Sequence, residues 1–181
     1  MLNQAIIKLS VDLKREGIEY ATIGAIALNR HGYRRFTEDI DLLLTKEGLE
    51  RFRERLVGLG YRPAFEGAKK KFRTSDNVPI DVIVSGEYPG DGLPKAVVFP
   101  EPSQFSVEID GVQTISLEKL IELKLASGIS APHRLKDLAD VQELIKIKHF
   151  EVSFAEKLDG SVRAKFRELL DAVTSSGEEL N

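Results

Sequence analysis

Two apolar runs, each broken by a carboxylate, constrain this chain more than any other feature. They are Asp39-Ile-Asp-Leu-Leu-Leu44 and Pro79-Ile-Asp-Val-Ile-Val84. Their length and apolar content are those of strands. A strand alternates its side chains between faces, so Asp39 and Asp41 point one way and Ile40 the other. Two like charges on one face beside buried side chains repel, and carboxylates are rarely buried unless paired or bound to a cation. Asp81, with Ile80, Val82 and Ile83 around it, poses the same problem. If the two strands are neighbours in one sheet, the three carboxylates converge. Hard oxygen ligands in that number suit Mg²⁺, completed by water and substrate phosphates, and two such ions would serve an in-line phosphoryl displacement. A plainer reading stands beside this one. Asp-x-Asp at a strand end is often a turn or cap, and Asp81 can pair with a lysine of Lys69–Lys71.

The remaining elements place α and β structure together first and helices last, an α+β order. Ile6, Leu9 and Leu13 repeat with helical spacing up to Gly17. Tyr20–Ile23 reads as a strand running into Gly24, and Ala25–Arg30 as a brief helix. Leu49, Phe52, Leu56 and Leu59 keep helical spacing, with Gly60 at the C-cap position. Strands are expected at Lys71–Thr74 and Pro79–Val84. Residues 85–102 are rich in Gly and Pro and read as a surface loop with at most one short strand at Ala96–Phe99. Val107–Ile109 and Val112–Ile115 make a hairpin around Asp110-Gly111, a strong turn pair. Helices follow at Leu117–Ser127, Arg134–Lys148 and Val162–Val173, before a polar tail, SSGEELN, expected to fray. The expected organisation is an α/β core over residues 1–115 and a helical part over 116–181, packed as one compact unit.

Composition narrows the function. The 42% hydrophobic content of the 181 residues suffices for a core without staples. There is no cysteine, so thiolate metal sites and disulfides are excluded. A net charge of -3 argues against coating nucleic acid non-specifically, while leaving room for a local basic site. The N-terminus lacks the pattern of a leader, and no apolar run approaches the roughly 18 residues of a membrane span. A cytoplasmic protein without a membrane partner is expected.

Gly24 follows a strand and opens a helix, where backbone N–H groups can cradle phosphate. With it, the string Gly24-Ala25…Gly32-x-x-Arg35-x-Thr37-x-Asp39-x-Asp41 and the distant Asp81 resemble the DNA polymerase beta nucleotidyltransferase superfamily. The string is most similar to minimal members such as the abortive-infection (AbiEii-like) nucleotidyltransferase toxins and lincosamide-type transferases. The resemblance extends over Leu120-Ile-Glu-Leu-Lys124-Leu-Ala and Arg134-Leu-Lys-Asp137-Leu-Ala-Asp140-Val, roughly residues 20 to 146. It implies a nucleotidyltransferase fold, a short mixed β-sheet flanked by helices with a C-terminal helical portion. It also implies catalytic, metal-holding carboxylates at Asp39, Asp41 and Asp81, and nucleotide contacts from Gly24, Ala25, Arg35, Thr37, Lys124 and Asp137. Two Mg²⁺ ions are the expected cofactor. One departure is Ala25, where these families carry Gly or Ser. The missing hydroxyl leaves phosphate binding to backbone amides.

Lys124 falls in the middle of the apolar face formed by Leu117, Leu120 and Ile121, opposite Glu118, Lys119 and Glu122. It either snorkels at a core edge or, as the resemblance implies, reaches nucleotide phosphates. Asp137 sits beside the stripe Leu138, Val141, Leu144 and Ile145. It either holds Lys124 by a charge-assisted bond or favours the positive end of its helix. Asp140 is at the stripe's edge. Arg35 can meet a triphosphate bidentately or be a solvated loop charge, and Arg34 reads as the ordinary one. Lys69–Lys71 with Arg73 form either a basic patch for a polyanionic acceptor or an edge strand guarded by lysines. His31 and His133 belong to no metal-spaced cluster.

The expected reaction moves a nucleoside monophosphate from a nucleoside triphosphate to an acceptor hydroxyl on RNA such as tRNA, on protein, or on a small molecule. A toxin–antitoxin role with a cognate antitoxin partner follows only from the resemblance. The rival expectation is a non-catalytic nucleotide-binding or regulatory protein of the same fold, which Ala25 favours and the three aspartates oppose. A nuclease fits less well, because Gly24 and Lys124 point to triphosphate.

Overall fold

A computed structural model describes residues 1–178, and the end of the polar tail, residues 179–181, lies outside them. The chain forms two compact units. One comprises Met1–Gly86 with Phe99–Ser116, the other Glu87–Val98 with the chain from Leu117 onward.

The first unit runs α1 (Leu2–Arg15), β1 (Tyr20–Thr22), α2 (Gly24–Arg30), β2 (Ile40–Leu44), α3 (Lys46–Arg55), β3 (Tyr61–Pro63), β4 (Lys71–Thr74), β5 (Pro79–Val84), α4 (Pro102–Phe105), β6 (Ser106–Ile109) and β7 (Val112–Ile115). The strands form one sheet in the order β3-β4-β5-β2-β1-β7-β6. β2 and β5 are parallel, as are β1 and β7, and the other pairs are antiparallel. The mixed sheet with flanking helices is the α+β architecture expected from the sequence.

A core cluster packs against one sheet face. Ile40, Leu42 and Leu44 of β2 and Ile80 and Val82 of β5 join Leu9 and Leu13 of α1 and Phe52 of α3 there. A one-residue slip of β2 would turn all three of its core side chains to the other face. At about 1.5–3 kcal/mol for each buried side chain, the register is fixed, and the placement of Asp41 on the opposite face with it. Thr45 caps α3 by accepting a hydrogen bond from the Gly48 N–H at 2.8 Å. The β6–β7 turn carries positive φ at both Asp110 and Gly111, as that turn pair demands.

Several local expectations change. α3 stops at Arg55 rather than continuing toward Gly60. Ala96–Phe99 forms no strand. β3, a three-residue edge strand, was not legible, because its anchors are distant. The Tyr61 ring stands 5.5 Å from that of Phe52, and its hydroxyl donates to the buried Asp12 at 2.7 Å. Burial alone would raise the Asp12 carboxyl, but hydrogen bonds from Lys8 and Tyr61 outweigh it and hold the group below its ordinary value.

The second unit contains α5 (Leu117–Ser130), α6 (Leu135–Lys148) and α7 (Gly160–Glu178), with 3-10 turns at Pro132–Arg134 and Val152–Lys157. Helix α7 takes in Ser175–Glu178, the part of the tail expected to fray. A Cβ at Gly128 would meet the Leu138 side chain, so this glycine permits α5 and α6 to approach closely. Residues 87–98 belong here because Gly90 packs its backbone against Ser127 and Ser130. Glu122, expected on the polar side of α5, is buried. It accepts from Lys119 and, at 2.8 Å, from the Asp159 N–H that precedes α7.

Candidate active site

The parallel pairing of β2 and β5 sets Asp41 and Asp81 directly opposite each other. Both lie on the face away from the apolar core and are half-buried, as is Asp39, which precedes β2. Across the antiparallel β4–β5 pair, Lys71 is the register partner of Asp81. Its ammonium stands 2.6 Å from the Asp81 carboxylate, with the two side chains 56% and 35% exposed. A row Lys71–Asp81–Asp41 therefore crosses three strands. The plain sequence reading of Asp81, a lysine partner, is present in the structure. At that exposure the pair contributes at most about 1 kcal/mol and its lysine is free to swing away.

The row continues to the end of β1, where the Ile23 N–H donates to the Asp41 carbonyl at 3.0 Å. Next comes Gly24, with φ +62°. A Cβ built there would collide with the Asp41 carboxylate. This position needs glycine twice over, for its left-handed backbone and for the space Asp41 occupies. Ala25 is half-buried in the first turn of α2.

The segment between α2 and β2 is tied down by side chains. Asn29 donates to the Arg35 carbonyl at 2.8 Å and accepts from the Arg35 N–H at 2.6 Å. The Thr37 hydroxyl donates to the Asp39 carboxylate and, at 3.3 Å, to its carbonyl. Thr37 thereby orients Asp39. Nothing in the sequence marks Asn29, since a lone Asn inside a short helix gives no signal of what it clamps.

Lys124 and Asp137 lie in the helical unit. The Lys124–Asp137 bond, one of the two readings the sequence leaves open for Asp137, is present at 3.0 Å, and Asp140 adds a second at 2.7 Å. All three side chains are buried. Ser127 and Arg134 also donate to Asp137, at 2.6 and 2.8 Å. Burial alone would raise the Asp137 carboxyl, but Lys124, Ser127 and Arg134 prevail and hold it below the usual value.

Asp39, Asp41 and Asp81 are the side chains that could hold a divalent cation. The donor set fits Mg²⁺ in kind, since Asp41 and Asp81 are hard carboxylates in direct register on one sheet face and Asp39 lies two residues before Asp41. Among the described residues no three His, Cys, Asp or Glu side chains form a metal-holding group by themselves. Water and phosphate oxygens would have to supply the other ligands.

Neither protein-family models nor curated proteins gave a match to this chain. Solved structures did. The antibiotic-resistance factor ANT(2'')-Ia, determined in solution, aligns with a TM-score of 0.57 at 17% identity, over 98% of each chain. ANT(2'')-Ia in complex with adenylyl-2''-tobramycin aligns with a TM-score of 0.55 at 17% identity, over 92% of this chain and 96% of that one. An antigenic nucleotidyltransferase-like protein from Paracoccidioides brasiliensis aligns with a TM-score of 0.52 at 16% identity, over 81% and 76%. The fold is that of nucleotidyltransferases, as the sequence resemblance implied. These likenesses do not single out the abortive-infection subfamily.

Proposed function

We propose that this chain is a nucleotidyltransferase that moves a nucleoside monophosphate from a nucleoside triphosphate to an acceptor hydroxyl. The observation that carries the reading is the direct register of Asp41 with Asp81 beside Gly24, whose missing Cβ leaves room for the Asp41 carboxylate. The acceptor oxygen attacks the α-phosphorus, the bond from that phosphorus to the bridging oxygen breaks, and pyrophosphate leaves. Asp81 takes the hydroxyl proton, which requires its carboxylate to let go of Lys71. Asp39 and Asp41, with Asp81, would hold Mg²⁺, which when bound neutralises charge developing on the phosphates. Thr37 keeps Asp39 oriented, while the backbone of Gly24 and Ala25 and the side chain of Arg35 receive the triphosphate. Lys124 and Asp137 hold each other in the helical unit, and no nucleotide role is assigned to them.

The adenylated aminoglycoside bound by ANT(2'')-Ia supports monophosphate transfer to a hydroxyl in general. The test is incubation with each α-labelled triphosphate, Mg²⁺ and total RNA, protein or small-molecule extract, scored by transfer of label to an acceptor. A tRNA acceptor would bring the toxin–antitoxin role back into play. Asp39→Asn with Asp41→Asn should abolish Mg²⁺-dependent nucleotide binding in calorimetry while the protein stays folded. Unchanged binding in that double variant refutes the site. The Lys71–Asp81 ion pair and Ala25 favour a second reading, a nucleotide-binding protein without turnover, which predicts binding with no label transfer.

A further inference from the structure

The hairpin formed by β3 and β4 carries a charge pattern that the reaction chemistry does not use. Between Tyr61 and Arg73 the chain holds five cations, Arg62, Lys69, Lys70, Lys71 and Arg73, against one carboxylate, Glu66, in a protein whose net charge is -3. Guarding an exposed edge does not account for Lys71 and Arg73. β3 is the edge of the sheet, whereas β4, which bears Lys71 and Arg73, is an interior strand between β3 and β5.

Alternation along β4 buries Phe72 and Thr74 on the core side and turns Lys71 and Arg73 to the face that bears Asp81 and Asp41. Arg62 on β3 stands directly opposite Arg73. Like charges in direct register are destabilising, so the pairing is not there for stability. Both guanidinium groups converge on Asn77, Arg62 donating to its side-chain oxygen at 2.8 Å and Arg73 to its carbonyl at 3.0 Å. The connection between the strands presents Phe65, 60% exposed.

We infer that this hairpin is an acceptor-binding surface and that the acceptor is single-stranded nucleic acid. The inference rests on the transferase reading above and supplies its substrate class. The cations form a track rather than a pocket. Lys69 and Lys70 lie in the connection just before β4, Lys71 and Arg73 follow on the strand itself, and Lys71 stands beside Asp81. A single small anion would need one guanidinium, whereas a chain of phosphates meets each cation in turn. An exposed aromatic beside a cationic track is the pairing used by sequence-tolerant single-strand binders, with bases stacking on the ring. A cationic acceptor such as an aminoglycoside would be repelled along the same path.

Fluorescence anisotropy with a labelled single-stranded RNA of about 12 nucleotides tests this, with Mg²⁺–nucleotide binding measured in parallel. Arg62→Gln with Arg73→Gln should weaken RNA binding at least about tenfold and reduce the salt slope by about 1.4, as for two lost phosphate contacts. Phe65→Ala should weaken it about 5- to 100-fold without changing the slope. Neither variant should alter nucleotide binding, and both should stay folded. No RNA binding by the wild type, equal affinity in the double variant, or label transfer to an aminoglycoside but not to RNA would overturn the inference. RNA binding that depends on these residues, in a protein that neither binds nor transfers nucleotide, would instead overturn the transferase reading and leave the surface standing.

Discussion

Gly24→Ala tests the geometry of the candidate site most directly. The residue has φ +62°, a conformation that costs an L-amino acid about 1–2 kcal/mol. The added methyl also enters space held by the Asp41 carboxylate, and overpacking of this kind typically adds about 1–3 kcal/mol. The sum, about 2–5 kcal/mol, corresponds to a fall in melting temperature of roughly 4–20 °C for a chain of this size. Urea denaturation of Gly24→Ala, Asp41→Ala and the double variant separates the two contributions. If the methyl collides with Asp41, removing that carboxylate should return about 1–3 kcal/mol of the loss, while the backbone cost stays. Mg²⁺–nucleotide binding by Gly24→Ala should fall further than its stability does, since Asp41 must move. Strictly additive effects in the cycle, or a Gly24→Ala protein that melts and binds like the wild type, would refute the close approach of Gly24 and Asp41.

Lys124→Met removes the ammonium from two buried carboxylates and should cost about 3–5 kcal/mol in urea denaturation. A loss below about 1 kcal/mol would show the network to be dispensable. Asp137 is held below its ordinary value of 3.8 in the folded protein, so the unfolded chain takes up its proton first as pH falls. Its contribution is fully present above that value and is lost as pH drops through the folded value. Asp137→Asn should therefore flatten the acid side of the stability profile below about pH 4, and an unchanged slope there would refute the assignment. Lys71→Gln removes the cation in contact with Asp81 and should tighten Mn²⁺ binding, read by paramagnetic resonance, about two- to fivefold. Lys69→Gln, with the same charge change, serves as the control, and equal effects of the two would deny the contact any role.

What the sequence determined by itself was local. Period-two alternation put Ile40, Leu42 and Leu44 on one face and Asp41 on the other, because a strand leaves a side chain only two directions. Asp110-Gly111 marked its hairpin because few residue pairs accept positive φ twice. Lys124 stands out as a charge on an apolar helix face, with Asp137 as one candidate for its partner. The order of strands in the sheet was not local, and several outcomes hang on it. Because β4 lies between β3 and β5, Lys71 meets Asp81 and Arg73 meets Arg62. Because β5 runs parallel beside β2, Asp81 stands against Asp41. Tyr61–Pro63 became a strand through a ring contact and a hydrogen bond to residues nine and forty-nine positions away. Glu122 looked like surface until Lys119 and the Asp159 N–H satisfied it inside the helical unit. A side chain's own segment fixes which way it points, and only the packing of distant segments decides what it finds there.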